Sequence, residues 1–465
     1  MSWAPRKAGL PHVDTSTPAI VLKLDPNVMH HGGLGVIRSL GRQGVRVYAV
    51  QEDRWAPAAQ SRYLHGRYFW RPDSEDNARL REGLLRLADR IGQPAVIIAT
   101  DDAGSIFLAE HGEDLRSSFI FPRPPQDLPR QLAGKFSLYE LCGKLDVPSP
   151  RAVMADDDAA AREFAALVGF PLIAKLASPW RARKGSIRST TIVGDAGQLD
   201  EISRACGDAG IGLMLQEFIP GGAGHDWFFH GYCNARSECR PAFTGLKERS
   251  YPAHAGLTSM GRSVANNRLR GEVTSLLATL GYRGILDLDI RWDARDDQYK
   301  LLDFNPRLGA QFRLFQDTAG TDVVLAQYLD LTGQVVPEHE QVNDRYFVTE
   351  NYDPIAAIGY WRSGELGLKS WAASLRKVDE TAWFARDDLR PFGLMCMRMG
   401  WRMASRPFTR HAKPSARTDA QYRPGRAAAR SRSSVSNART SMPNKTNMTE
   451  QVMTVSKEKE EGAPV

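Results

Sequence analysis

Asp289, Asp303, Asn305 and Arg307 carry the densest chemistry in the chain. They lie in two apolar runs, 284–291 and 300–307, separated by a polar turn that holds Asp293, Asp296 and Asp297. If each run is a strand, side chains alternate between faces. Asp303, Asn305 and Arg307 then point one way, and Asp289 can face them from the partner strand. Asp287 shares the face of Asp289, so spacing alone does not separate the two. Two carboxylates and an amide oxygen on one wall make a hard, oxygen-only site for Mg²⁺ (or Mn²⁺). An arginine beside them suits a polyanion that the metal also touches. The chemistry expected is holding the phosphates of ATP and moving one of them. The plainer alternative is a hairpin with its acids in water, against which Asp303 and Asn305 interrupt an otherwise apolar run.

Other residues point toward the same anion. Lys175 is embedded in the apolar run 172–177, and a lysine in an interior strand needs an anionic partner. Lys135 falls in a helical stretch and is by itself an ordinary lysine. The loop 178–188 carries Arg181, Arg183, Lys184, Gly185, Ser186 and Arg188. A flexible basic loop of this kind can fold over phosphates, or be a simple hairpin tip. Gln216, Glu217, Phe218 and Ile219 end a strand, where polar groups can read an adenine ring and Phe218 and Ile219 can pack on it. Lys247 and Arg249 share a strand face ahead of a lid-like stretch, and could hold a substrate carboxylate or simply be solvated. His31-Gly32-Gly33-Leu34-Gly35 follows a strand and opens a helix, but Arg38 occupies the third glycine position of a dinucleotide fingerprint. A tight strand-to-helix turn is the better reading there.

These residues need elements to position them. Residues 18–125 alternate short strands (19–24, 45–50, 95–100) with helical patterns (34–43, 77–91), which argues for a parallel sheet with helices on both faces. Pro122-Arg123-Pro124-Pro125 marks a boundary. Residues 126–335 read as a mixed α/β region with strands near 171–176, 190–193, 213–219, 227–232 and 240–247, and a helix at 268–280. Residues 336–410 read as a helix-and-loop extension, with an amphipathic helix at 392–403 set down as core packing. Residues 411–465 are rich in Ser, Arg, Ala and Asn and are expected to be disordered.

The net charge is +7, but ten Lys or Arg against five Asp or Glu place +5 of it in 411–465. Basicity therefore belongs to the tail, and no nucleic-acid partner is expected for the folded body. No run approaches a membrane span, and no apolar signal core follows the basic start, so a soluble cytoplasmic protein is expected. The five cysteines (Cys142, Cys206, Cys233, Cys239, Cys396) have no metal or redox spacing and are expected to be free thiols. The oligomeric state is left open, with a homodimer among the options.

The order of these features resembles the ATP-grasp superfamily, and within it the carboxylate–amine ligases, a group that also looks similar to D-aspartate ligase. The resemblance covers about residues 18–335 and rests on Lys135, Lys175, the basic loop, Gln216-Glu217-Phe218-Ile219, Asp289, and the run Asp303-Phe304-Asn305-Pro306-Arg307. It implies a Rossmann-like pre-ATP-grasp domain over 1–125 and a two-lobed ATP-grasp fold over 126–335. It implies that Lys135 and Lys175 contact ATP phosphates, that Gln216, Glu217 and Ile219 contact adenine, and that Asp226 contacts ribose. It further implies Asp289, Asp303 and Asn305 as Mg²⁺ ligands and Arg307 beside the reacting groups. Asp stands at 289 and 303 where many relatives have Glu, and Leu246-Lys247 stands where related ligases often have Arg-Lys. The activity implied joins a small-molecule carboxylate to an amine (or thiol) through an acyl phosphate, with ADP released. An ATP-binding scaffold without turnover and an NAD(P)-dependent enzyme using the first domain are the alternatives.

Overall fold

The computed structural model describes residues 13–70, 76–176, 190–222, 224–253 and 256–411. Through Pro407 the chain forms one compact unit, and its described residues build three sheets.

The first sheet contains β1 (Ala19–Leu22), β2 (Val47–Gln51), β3 (Leu64–Phe69), β4 (Ala95–Ala99) and β5 (Phe119–Ile120). Their order is β3-β2-β1-β4-β5, and every pairing is parallel. Parallel neighbours need crossover helices, supplied here by α1 (Gly32–Arg42), α2 (Asn77–Ile91) and α3 (Asp102–His111). Alternation along β1 divides the core. Ala19 and Val21 pack with Leu34, Ile37 and Leu40 of α1, whereas Ile20 and Leu22 pack with Leu84, Leu87 and Phe107 of α2 and α3. β3 lies where the sequence reading leaves a loop; it is an edge strand whose residues after Leu64 are all at least partly exposed, so it lacks the apolar run that marks its neighbours.

The second sheet contains β6 (Ala152–Ala155), β7 (Leu172–Leu176), β8 (Thr190–Val193) and β9 (Leu213–Glu217), antiparallel in the order β6-β9-β7-β8. Helices α6 (Asp158–Val168) and α7 (Ala196–Ala209) cover it through Phe164, Leu199 and Cys206. Each helix starts on an aspartate N-cap, Asp157 and Asp195, whose carboxylate accepts a free backbone N–H of the first turn.

The third sheet has seven strands in the order β14-β13-β10-β11-β12-β15-β16. They are β10 (Asp226–Cys233), β11 (Cys239–Tyr251), β12 (Leu257–Ser263), β13 (Gly284–Asp293), β14 (Gln298–Asn305), β15 (Tyr346–Val348) and β16 (Val378–Thr381). On β13, Leu286, Leu288 and Ile290 face helix α8 (Asn267–Thr279) and helices α4 (Leu128–Ala133) and α5 (Lys135–Lys144). The opposite face carries Ile285, which joins a core shared with the first sheet, and then Asp287 and Asp289. β15 and β16 fall inside 336–410, where helix and loop are expected. At three and four residues they are too short to show a two-residue period.

The glycine turn after β1 does not open onto a ligand groove. A Cβ at Gly35 would lie 2.6 Å from Phe312 Cε1, and one at Gly32 would lie 2.9 Å from His30 Cε1. These glycines allow close packing, and Arg38 is buried in an ion pair with Asp388 at 3.0 Å. Both observations fit the tight strand-to-helix turn expected here better than a dinucleotide site. The helix expected at 392–403 is part of α12 (Arg390–His411); Leu394 and Met395 are buried, while Met397 and Trp401 face solvent. All five cysteines are free, and Cys233 pairs in register with Cys239. Among the described residues, no helix is long and apolar enough to cross a membrane.

Candidate active site

The acids on β13 and β14 form directly opposed pairs. Antiparallel register sets Asp289 across from Asp303 and Asp287 across from Asn305, so the face expected from alternation is formed. The polar turn between the strands satisfies itself. Lys300 Nζ lies 2.6 Å from Asp293 and 2.9 Å from Asp296, and Arg295 lies 2.6 Å from Asp293. These pairs hold the hairpin at the end away from Asp287 and Asn305.

Neighbours separate Asp287 from Asp289. Asp287 is buried; its Oδ1 lies 2.9 Å from His230 Nε2, and its Oδ2 accepts from Asn305 Nδ2 at 3.4 Å and Arg307 Nη1 at 3.5 Å. Burial works against its charge, but His230, Arg307 and Lys247 hold its carboxyl below the usual range. Asp289 is more open and pairs with Lys247 Nζ at 2.7 Å. Burial disfavours the Lys247 charge, but Asp289 outweighs it and raises the ammonium pKa. Asp303 is reached by solvent, yet protein surrounds it. Desolvation, then repulsion from Asp289, pushes its carboxyl up to about 6, with Lys175 and Arg307 opposing. Two carboxylates face to face, one resisting ionisation, make a donor set that fits a hard divalent cation. Among the described residues no group of three His, Cys, Asp or Glu is arranged for a metal; the nearest further oxygen donor expected from the sequence is the Asn305 amide, on the same face of β14 as Asp303. Asn305 Oδ1 now accepts from Arg307 Nη2 at 2.8 Å.

Lys175 enters from the four-stranded sheet. Its pKa is lowered by burial, with Lys135 adding to the effect and Asp303 and Asp289 opposing it. Lys135, the first residue of α5, is exposed. The structure thus brings Lys135, Lys175, Asp289, Asp303 and Arg307 into one electrostatic neighbourhood between two sheets. Tyr139 braces it, donating to Leu302 O at 2.8 Å and Gln216 Oε1 at 3.2 Å, with Lys175 Nζ 5.8 Å from its ring.

The remaining expected contacts differ. Gln216 and Ile219 are buried. Glu217 pairs with Arg295 at 2.7 Å, and Asp226 pairs with Arg291 Nε at 2.6 Å. Arg291 Nη1 also donates to Ile219 O at 3.0 Å, so strand end and Asp226 are tied together. Lys184, Gly185 and Ser186 lie outside the described residues. Arg249 is a correction. An irregularity in β11 between Lys247 and Arg249 breaks their shared face. Arg249 is buried, giving Nε and Nη2 to Asp353 at 2.8 and 3.0 Å and Nη1 to Ser374 at 3.1 Å. With its guanidinium so engaged, it is not placed to hold a substrate carboxylate.

Three residues outside the expected site set also contribute. Asp102, at the C-terminal end of β4, pairs with Arg307 Nε at 3.2 Å. His30 follows β1; burial, then the charges of Arg307 and Lys23, lower its pKa to about 3, and its Nδ1 has no partner. His230 backs Asp287. The signal for Asp102 was available: ligands of open parallel sheets gather beyond the carboxyl ends of the strands. A cavity of about 410 Å³ lies elsewhere, lined by Leu288, Ile290 and Leu301 on the opposite face of the hairpin.

Known proteins resemble this chain in sequence and fold. The chain is 25% identical over 309 residues to D-aspartate ligase of Enterococcus faecium, covering 62% of this chain and 71% of the relative. It is 25% identical over 236 residues to the carbamoyl phosphate synthase large chain of Deinococcus radiodurans, covering 49% of this chain but 22% of that one. Among solved structures, it is similar to N5-carboxyaminoimidazole ribonucleotide synthetase of Thermus thermophilus, with a TM-score of 0.51, 15% identity, and coverage of 69% of this chain and 81% of that one. It is also similar to the biotin carboxylase domain of Hydrogenobacter thermophilus 2-oxoglutarate carboxylase in complex with MgADP. There the TM-score is 0.52 at 16% identity, over 71% of this chain and 74% of that one. No family model matches the chain. Sequence likeness to a ligase and the fold shared with these structures together support an ATP-grasp enzyme of the ligase class.

Proposed function

We propose that this enzyme joins a small-molecule carboxylate to an amine, using ATP and releasing ADP through an acyl phosphate. The observation that carries the reading is the facing pair Asp289 and Asp303, with Lys175 in reach from the four-stranded sheet and Lys135 from the start of α5. Asp289, Asp303 and Asn305 are the residues that would hold Mg²⁺. When bound, that ion screens the triphosphate and draws charge from the phosphoryl group being moved. Lys175 and Lys135 neutralise phosphate oxygens on the opposite wall. The strand end at Gln216 to Ile219, with Asp226, borders the nucleoside. Arg307, anchored by Asn305, Asp287 and Leu308 O, stabilises the charge that develops on the acyl oxygen. The substrate carboxylate attacks the γ-phosphorus, and an amine then displaces phosphate from the acyl carbon. Most of the rate comes from position and charge, which asks for no protein nucleophile.

The D-aspartate ligase likeness makes a small amino acid, D-aspartate first, the acid to try. The test is ADP release against a panel of amino acids paired with amines. ADP formation that needs both an acid and an amine supports the reading. ATP turnover indifferent to both, or release of AMP, overturns it.

A further inference from the structure

We propose that Asp102 is a catalytic residue that receives the ammonium group of the amine substrate beside Arg307 and takes a proton from it. The inference rests on the ligase reading and assigns a part of that site left open so far.

The first observation is position. Asp102 opens α3 directly after β4, at the carboxyl end of a parallel strand, where the loops of such sheets hold ligands. Asp101 fixes that loop: one carboxylate oxygen caps Gly104 N at 2.8 Å, and the other accepts from Leu24 N at 2.6 Å and Asp25 N at 2.9 Å. The ends of β1 and β4 are thus tied together next to Arg307.

The second observation is how Asp102 meets Arg307. Oδ1 is buried, 3.2 Å from Arg307 Nε, yet the side chain as a whole is 43% exposed. The exposure therefore falls largely on the second oxygen. A carboxylate that only anchors an arginine engages both oxygens, as Asp353 does with Arg249. Arg307 also has other anchors in Asn305 Oδ1 at 2.8 Å and Leu308 O at 3.0 Å. Asp102 has capacity beyond holding the guanidinium.

The third observation is the company around it. The other acids near Arg307 have parts of their own: Asp287 lies against His230 and Arg307, and Asp289 and Asp303 are the facing pair that would hold Mg²⁺. On the β1 side, His30 contributes a buried, uncharged imidazole with an unpartnered Nδ1. A half-open carboxylate suits an ammonium, and its charge offsets that of Arg307 beside it. Burial raises the Asp102 carboxyl, with Arg307 opposing, which favours proton acceptance.

The step balances. The ammonium gives one proton to Asp102, which passes it to water from its open side. The nitrogen lone pair forms the C–N bond at the acyl carbon. The C–O bond to phosphate breaks, and the second proton leaves with inorganic phosphate.

The test compares two nucleophiles on the same activated acid. Hydroxylamine is already uncharged at neutral pH and traps acyl phosphate as a hydroxamate, whereas ammonium must first lose a proton. D-aspartate, or whichever acid of the panel turns over, serves as the acid. In Asp102→Asn the ratio of amide formed from ammonium to hydroxamate is expected to fall at least tenfold, and Asp102→Glu should recover part of it. An unchanged ratio overturns the proposal, including the case in which both rates fall together, which would make Asp102 a strut for Arg307. Absence of both hydroxamate and ADP from the unsubstituted enzyme across the panel defeats the ligase reading itself, a distinguishable result.

Discussion

Asp287 and Asp289 stand two residues apart on one face of β13, yet their neighbours give them different duties. Asp287 is enclosed by His230, Asn305 and Arg307, so it acts on Arg307. Asp289 faces Asp303 across the ladder and is open to a cation. The two asparagine variants should therefore separate. Asp289→Asn is expected to raise the Mg²⁺ concentration for half-maximal ADP release by about tenfold or more. Asp287→Asn is expected to lower the turnover rate with little change in that concentration. Equal Mg²⁺ dependence in both would remove the distinction. His31 offers a pH test away from the acids. It is buried against Phe347 and Trp383, at ring distances of 6.0 and 5.9 Å, and burial then His30 lower its pKa from 6.5 to about 3. The folded state thus binds fewer protons than the unfolded chain between those values. Stability from this group is fully present above about pH 6.5 and is lost as pH falls toward 3, at up to about 1.4 kcal/mol per pH unit. Replacing His31 with Phe should reduce the pH slope of urea-measured stability across that window, with His30 keeping a share through its own lowered pKa, and an unaltered slope would contradict it.

At the scale of elements, period-2 alternation on β13 and β14 was enough to put Asp289, Asp303 and Asn305 on one wall, because a ladder with one buried face fixes its register. What escaped were effects that no local pattern carries. The irregularity in β11 turns Arg249 away from the face of Lys247, and its acid, Asp353, lies 104 residues along the chain. The pairing of Asp102 with Arg307 likewise joins residues of different sheets. Arg249 now reads as a structural tie, and this has a measurable consequence. Arg249→Ala leaves Asp353 buried without its cation and should cost about 3–5 kcal/mol of folding stability. In the folded variant the KM for either co-substrate should hold. A raised KM at unchanged stability would restore the substrate-clamp role.

At the scale of the whole molecule, three sheets each supply a different part of the site. The parallel sheet brings Asp102 and His30, the four-stranded sheet brings Lys175, and the seven-stranded sheet brings the acids and Arg307. The parallel sheet was legible from strand and helix alternation, since its central strands are continuous apolar runs. β15 and β16 were not, because short strands join a sheet through partners far away in sequence. In the proposed function, acids and lysines from two sheets grip one triphosphate. Calorimetric titration of ATP with Mg²⁺ into the enzyme, Asp303→Ala and Lys175→Ala tests it most directly. The expected result is Mg²⁺-dependent binding by the enzyme, weakened at least tenfold in each variant. Binding of equal strength in all three, or indifferent to Mg²⁺, would contradict it.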